Sequence, residues 1–317
     1  MEHPTKILLD MDGDGDNLIA LAYALQSDAL EVLGVTTCHG FVSVETASAA
    51  VTAFLDAMGA KVPVAMGADR PLMRQRMPKV IREAPAAVPA AIEPLPAWDF
   101  MAQVLEESPE PVTVCLLGPA TNLVQLLHRH PEAAGKIQRV LFAGGSFAFG
   151  TVTASACHKV YFDAEAMQRL THAGIPFYMA SVDVTSGFTN GVKLEELLDS
   201  WSGSLWARAR RLMPSPVPAT RFVRTPFALL SLDHPDMFSF GRYKCEVELH
   251  GRITYGMTVV YLDNFDGVFE LPDGTTNRRD VAEEDKNIWY MDAFDRDKVL
   301  AILSEVVGGL SGTGGAV

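Results

Sequence analysis

The chain has few of the features that mark secreted, membrane-bound or nucleic-acid-binding proteins. Only four cysteines occur in 317 residues: Cys38, Cys115, Cys157 and Cys245. They stand far apart, with neither a disulfide-type framework nor metal-type pairing, and read as reduced, mostly buried thiols of a cytoplasmic protein. Basic residues are in deficit, 26 Lys and Arg against 39 Asp and Glu, for a net charge of -13. That balance argues against a nucleic-acid partner, which needs a basic surface. No apolar run approaches the roughly 20 residues of a membrane span, and the opening Met1 to Thr5 is not of signal-peptide type. What remains, 48% hydrophobic and 21% charged, is ordinary globular composition with ample material for a core.

Against this background one stretch stands out. The apolar run Ile7-Leu8-Leu9 leads into Asp10, Asp12, Asp14 and Asp16 at every second position, interleaved with Met11, Gly13 and Gly15. The helix-like stretch Leu18 to Leu25 follows. The pattern predicts a buried strand, a tight turn and a helix N-terminus. In parallel α/β sheets, ligands bind beyond the carboxyl ends of strands, where this turn would lie. Four crowded carboxylates repel one another, so a bound cation, a nearby Lys or Arg, or raised pKa values must compensate.

The rest of the chain alternates strand and helix signals. Strands are expected over 31–38, 62–66, 112–117, 140–143 and 176–180, and helices over 42–58, 98–107, 163–173 and 194–213. Residues 73–96 read as an irregular Pro- and Ala-rich connection. A buried helix over 224–232 should start at a Thr225 cap with Pro226 in its first turn. Antiparallel-looking strands follow over 243–249 and 257–262, then a strand over 287–291 and a helix over 296–307. The fold class is therefore α/β, a mostly parallel, helix-covered open sheet with a small antiparallel C-terminal extension. We expect a single domain over 1–309 and a Gly/Ser tail over 310–317.

Three motifs compete for the aspartate turn. Asp10, Asp12, Asp14 and Gly15 fit the first half of an EF-hand calcium loop, but Leu21 stands where its bidentate Glu belongs. Leu9 to Gly13 superficially resembles the haloacid-dehalogenase-like phosphatases, but Asp14 replaces their Thr. A third resemblance runs through nearly the whole chain. Asp10-Met11-Asp12-Gly13-Asp14-Gly15-Asp16-Asn17 is similar to the D-x-D-x-x-x-D-D pattern of the inosine/uridine-type nucleoside hydrolases. The likeness continues in Gly67 to Leu72, Leu117 to Leu123, Tyr161 to Ala166, Asp183 to Thr185 and Gly251 to Val260.

The resemblance implies the nucleoside hydrolase fold and cleavage of the N-glycosidic bond of ribonucleosides. It also implies a Ca2+ ion, and a homodimer or homotetramer. Carried over by motif, Asp12 matches a calcium ligand that also takes a proton from water, Asp16 a ribose-binding carboxylate, and Asp10 a supporting carboxylate. The Leu117 carbonyl matches a further calcium ligand.

The departures fall on the same machinery. Asn17 and Thr225 stand at positions of family calcium carboxylates. The A-E-F-N stretch reads Ala156-Cys157-His158-Lys159, and the family's A-G-N reads His39-Gly40-Phe41. The expected metal set of Asp12, Asp16, Asn17, Leu117 and Thr225 is thus a calcium site either weakened or absent. Two cations, Arg224 and Lys159, are expected at the same pocket. Arg224 either replaces calcium by pairing with Asp12 or Asp16, or joins Lys159 in binding an anionic substrate group.

Asp12 and Arg224 are the expected catalytic pair, with Asp16, Cys157, His158, Lys159, Phe41 and Asp183 around the substrate. His39 or His158 could supply the lost leaving-group acid, although either could be an ordinary loop histidine. The expectation is a divergent nucleoside hydrolase, poor on inosine and uridine, acting on a ribosyl or sugar-like small molecule. The alternatives are a non-catalytic ligand-binding protein, or a different reaction on an anionic metabolite using Arg224 and Lys159.

Overall fold

A computed structural model describes residues 3–73, 87, 89, 91–186, 191–193, 196–197, 222–261 and 281–309. The expected helix over 194–213 lies almost wholly outside the described residues, as does the tail over 310–317.

The architecture starts from β1 (Thr5–Met11), whose residues Ile7, Leu8 and Leu9 are fully buried. A strand apolar at successive positions needs cover on both faces, which parallel sheets provide through crossover helices. Chain order then gives α1 (Gly15–Gln26), β2 (Leu30–Thr37), α2 (Val44–Met58), β3 (Val64–Met66) and β4 (Ile92–Glu93). Next come α3 (Ala97–Glu107), β5 (Val112–Leu116), α4 (Thr121–Arg129), β6 (Ile137–Ala143), α5 (His158–Tyr161), α6 (Ala164–Thr171), β7 (Phe177–Ala180) and α7 (Val182–Thr185). After the undescribed stretch follow α8 (Pro226–Asp233), β8 (Phe238–Val247), β9 (Thr258–Tyr261), β10 (Ile288–Phe294) and α9 (Arg296–Gly309).

The described strands form one sheet in the order β4-β3-β2-β1-β5-β6-β7-β10-β8-β9. Pairing is parallel from β4 through β10, and antiparallel at β10–β8 and β8–β9. The expected parallel sheet with an antiparallel C-terminal part is therefore present. β8 begins at Phe238, five residues before the strand expected from Tyr243. Its first half pairs with β10 and its second half, Lys244–Val247, with β9. Gly241, which interrupts the alternation, hid that first half. β4 lies inside the connection expected to be irregular, and two residues are too few to show a period.

Strand alternation divides β1 between two cores. Ile7, Leu9 and Met11 join the core that includes α1, α8 and α9, while Leu8 faces the one that includes α3, α4 and α6. Asp10 shares the face of Leu8, which brings it to α4. The chain leaves β1 toward β2 on one side and later returns to β5 on the other. This reversal opens a crevice at the carboxyl end of β1, where open α/β sheets bind ligands. Among the described residues, no helix is long and apolar enough to cross a membrane.

Candidate active site

The aspartate turn is assembled as its alternation predicts, but its four carboxylates have different fates. Gly13 takes φ +72°, a left-handed conformation that side chains disfavour, and a Cβ there would meet Ala47 at 2.7 Å. Asp14 then caps α1, its Oδ1 accepting from the Asn17 amide at 2.9 Å and from Asn17 Nδ2 at 2.6 Å. Asn17 Oδ1 accepts from the Asp12 amide. The Asn17 side chain thus holds the turn together, with its oxygen engaged by Asp12 and its amino group by Asp14.

Asp10 is fully buried, with Oδ2 unpartnered and Oδ1 engaged. Its Oδ1 accepts from Thr36 Oγ1 at 2.7 Å and Asn122 Nδ2 at 2.8 Å. Burial pushes its carboxyl up to about 7, against the pull of those two hydrogen bonds. Asn122 also donates to the Thr37 carbonyl and accepts from the Ala68 amide, tying α4 to β1, β2 and the loop after β3. Its neighbour Thr121 donates to Asp163 at 2.7 Å, so the 3.0 Å contact between Thr121 Oγ1 and His39 Nε2 has the imidazole donating. Burial lowers the His39 pKa to about 4, which favours the neutral imidazole at pH 7. His39 belongs to this network rather than to the lining of the crevice.

Asp12 is the opposite case. Only 1% exposed, it has no hydrogen-bond partner at either carboxylate oxygen. Gly40 makes room for it: a Cβ at that position would stand 2.5 Å from Asp12 Cβ and 2.9 Å from Oδ2. The nearest polar neighbour is His158 on α5, with Nε2 3.3 Å from Asp12 Oδ2 and 3.7 Å from Asp14 Oδ2. That imidazole nitrogen is also without a hydrogen-bond partner. Phe41 packs on the ring at 4.5 Å between centroids, and Thr151 Oγ1 lies 3.4 Å from Nδ1. Phe41 thus packs directly against His158.

Asp16 is held from across the chain. Its carboxylate accepts from the backbone amides of Arg224 (3.0 Å) and Thr225 (2.9 Å) and from Thr225 Oγ1 (2.9 Å). Because a carboxylate can only accept and an ammonium only donate, Thr225 relays between them. It accepts from Lys159 Nζ at 3.1 Å, and Lys159 also donates to the Ala143 carbonyl at 3.0 Å. Thr225 stands at the N-cap position of α8, but its side chain makes no capping bond. Burial and the Asp14 charge raise the Asp16 carboxyl above its ordinary value, opposed by Lys159, the Thr225 amide and Arg224.

Arg224 departs from expectation. Its backbone, not its guanidinium, meets Asp16; the side chain donates from Nε to Ser186 Oγ at 2.6 Å and lies over Phe222. Among the described residues the guanidinium makes no ion pair with Asp12 or Asp16, so it does not stand in for a metal. Asp183 has a structural task. Its carboxylate takes the amides of Phe147, Ala148 and Phe149 and organises the loop after β6. Cys157 is a buried wall residue whose Sγ accepts from the Gly145 amide, and burial raises its thiol pKa. Leu117 is buried after β5, its amide donating to the Asp10 carbonyl at 2.7 Å.

Asp14, Asp16, Lys159, Arg224, Thr225 and Cys157 are among the walls of one crevice, with about 20 Å³ left between them, room for one water. The inherited calcium set does not fit these residues. Calcium wants six to eight oxygens, whereas Asn17 and the Thr225 hydroxyl are committed elsewhere and Asp16 Oδ2 already accepts from Arg224 and Thr225. A buried ammonium, Lys159, also joins the same hydrogen-bonded chain. The cluster the fold does assemble is Asp12, Asp14 and His158, with ligand-type atoms all within 4.8 Å of one another. From the sequence, Asp14 is one of the four alternating aspartates and a carboxylate that could turn into a weakened metal site, at a position the family pattern leaves open.

Comparison with known proteins agrees in fold and sequence. Two curated relatives are pyrimidine-specific ribonucleoside hydrolases named RihA. The one from Citrobacter koseri is 32% identical over 278 residues, 80% of this chain and 87% of the relative. The one from Escherichia coli is 33% identical over 272 residues, 80% and 88%. Among solved structures, an inosine-guanosine nucleoside hydrolase superposes with a TM-score of 0.78 at 20% identity, covering 96% of this chain and 98% of the other. A purine-preferring ribonucleoside hydrolase from Gardnerella vaginalis gives 0.74 at 20%, covering 97% and 99%. The profile of the family described as inosine-uridine preferring nucleoside hydrolase matches residues 7–301, and the chain belongs to that family.

Proposed function

We propose that this chain hydrolyses the N-glycosidic bond of a ribosyl-type small molecule through a rebuilt site, and that inosine and uridine are poor substrates. The observation that carries the reading is Asp12, a buried carboxylate at the end of the central strand with both oxygens unpartnered and a water-sized space nearby. Such a group can hold a water and take its proton.

In this reading Asp12 removes a proton from water as the water oxygen bonds to the anomeric carbon. The C–N bond breaks, its electron pair leaves with the base, and that nitrogen takes up a proton. The transition state resembles an oxocarbenium ion, so nearby carboxylates lower its energy. The relatives, ribonucleoside hydrolases, support the substrate class. Poor turnover of inosine and uridine is inferred from Asn17, Cys157, Lys159 and Thr225, all of which are spent on internal contacts.

Ribose release from a panel of purine and pyrimidine ribonucleosides tests this. The expected result is Asp12-dependent cleavage of some ribosides, with inosine and uridine near the bottom of the ranking. Efficient calcium-dependent cleavage of inosine or uridine overturns the rebuilt site. Tight binding of ribosides without conversion identifies a non-catalytic binding protein instead.

A further inference from the structure

Asp12, Asp14 and His158 come from three supports, the end of β1, the N-cap of α1 and the first residue of α5. We propose that they form a site for one borderline divalent cation of the Zn2+, Co2+ or Mn2+ class. This ligand set differs from the calcium set that the family pattern implies. The proposal deepens the hydrolase reading without depending on it, because occupancy is measurable without turnover.

The first argument is electrostatic. Asp12 is 1% exposed with both oxygens unpartnered, and Asp14, 3% exposed, is engaged by Asn17 at Oδ1; two buried carboxylates side by side call for a compensating positive charge. The nearby ammonium of Lys159 is directed to Ala143 and Thr225 rather than to them. The Arg224 guanidinium is anchored on Ser186. Protonated His158 could compensate, yet its Nε2 is not aligned in a hydrogen bond with either carboxylate.

The second argument is geometric. Ligand atoms about 2.0–2.2 Å from a metal, at angles between octahedral and tetrahedral, are separated from one another by about 2.8–3.6 Å. His158 Nε2 is 3.3 Å from Asp12 Oδ2 and 3.7 Å from Asp14 Oδ2, so both edges from the imidazole are close to that spacing, and the three ligand atoms all lie within 4.8 Å of one another. The imidazole is also supported from behind. Thr151 lies against Nδ1 and Phe41 against the ring face, leaving Nε2 aimed at the carboxylates. Asp14 keeps its capping role through Oδ1 while offering Oδ2.

The third argument is chemical. An imidazole nitrogen with two carboxylates suits borderline transition ions, whereas calcium prefers an all-oxygen shell.

The test uses the full chain, stripped with a chelator and titrated with Co2+, reading its visible absorption. Zn2+ and Ca2+ then compete. One Co2+ per chain is expected, displaced by equimolar Zn2+ and resistant to millimolar Ca2+. His158→Phe should weaken Co2+ binding at least tenfold. Asp14→Asn should also weaken it while keeping a side-chain oxygen at the N-cap, with circular dichroism confirming the fold. Unchanged Co2+ affinity in folded His158→Phe overturns the proposal, as does absence of stoichiometric binding or a preference for Ca2+ over Zn2+. Ribose release by the stripped protein is scored separately and bears on the hydrolase reading alone.

Discussion

Two neighbouring clusters at the end of β1 handle buried polarity in opposite ways. On the α4 side, Asp10, Asn122, Thr121, Asp163 and His39 form a network in which every residue is tied to another, although Asp10 Oδ2 and His39 Nδ1 have no partner. On the crevice side, Asp12 and His158 are also buried, but both Asp12 oxygens and Nε2 are open and face one another. A connected network stabilises and fixes geometry, whereas orphaned groups cost stability and persist where a ligand or reaction uses them. The contrast supports the proposal that the α4 cluster is scaffold and the crevice cluster the working site.

That contrast can be broken in several places. The largest effect is expected at Asp12. Asp12→Asn should lower any riboside hydrolysis by about 10³-fold, within the range for losing a general base. Its melting temperature should hold or rise, because an unpartnered charge leaves the interior. A clear fall in melting temperature together with retained activity would place Asp12 in the scaffold.

On the other side, Asn122→Ala removes the partner of Asp10, the Thr37 carbonyl and the Ala68 amide at once. At roughly 1–3 kcal/mol for each group left unsatisfied, urea unfolding should show a loss of about 4 kcal/mol. Lys159→Met sharpens the boundary between the two clusters. It strips Thr225 and Asp16 of their buried cation, and a loss of about 3 kcal/mol is expected. Combining it with Asp16→Asn should recover part of that loss.

The smallest effect concerns pH. His39 has its folded pKa lowered to about 4 from an ordinary 6.5. Its neutral form is the one the fold accommodates, so its contribution is fully present above pH 6.5 and is lost as pH falls through about 4. Between pH 7 and 5 this amounts to about 2 kcal/mol. His39→Gln should flatten that part of the stability profile, and an unaltered slope would show that the imidazole titrates freely.

The carboxylates themselves were legible from alternation at a strand end, and so was the parallel sheet. Their partners were not. Asp16 looked like a free ribose ligand because nothing near it in sequence satisfies it. The amides that do so lie 208 and 209 residues away. Arg224 was read for its side chain, while the contact with Asp16 runs through its backbone. Asp183 looked like a pocket acid and turned out to hold three successive amides. Each of these outcomes depends on a loop approaching from another element, for which local sequence carries no signal.

The sequence by itself determined the family, the α/β sheet and the clustering of Asp10, Asp12, Asp14 and Asp16 at the end of β1. Periodicity and turn chemistry are local, and they suffice for that. Only the tertiary structure decided which aspartate caps a helix, which is held from across the chain, and which stays open beside His158. Hydrogen-bond partners are allotted by packing between distant segments, and it is this allotment that separates scaffold carboxylates from the one left available for chemistry.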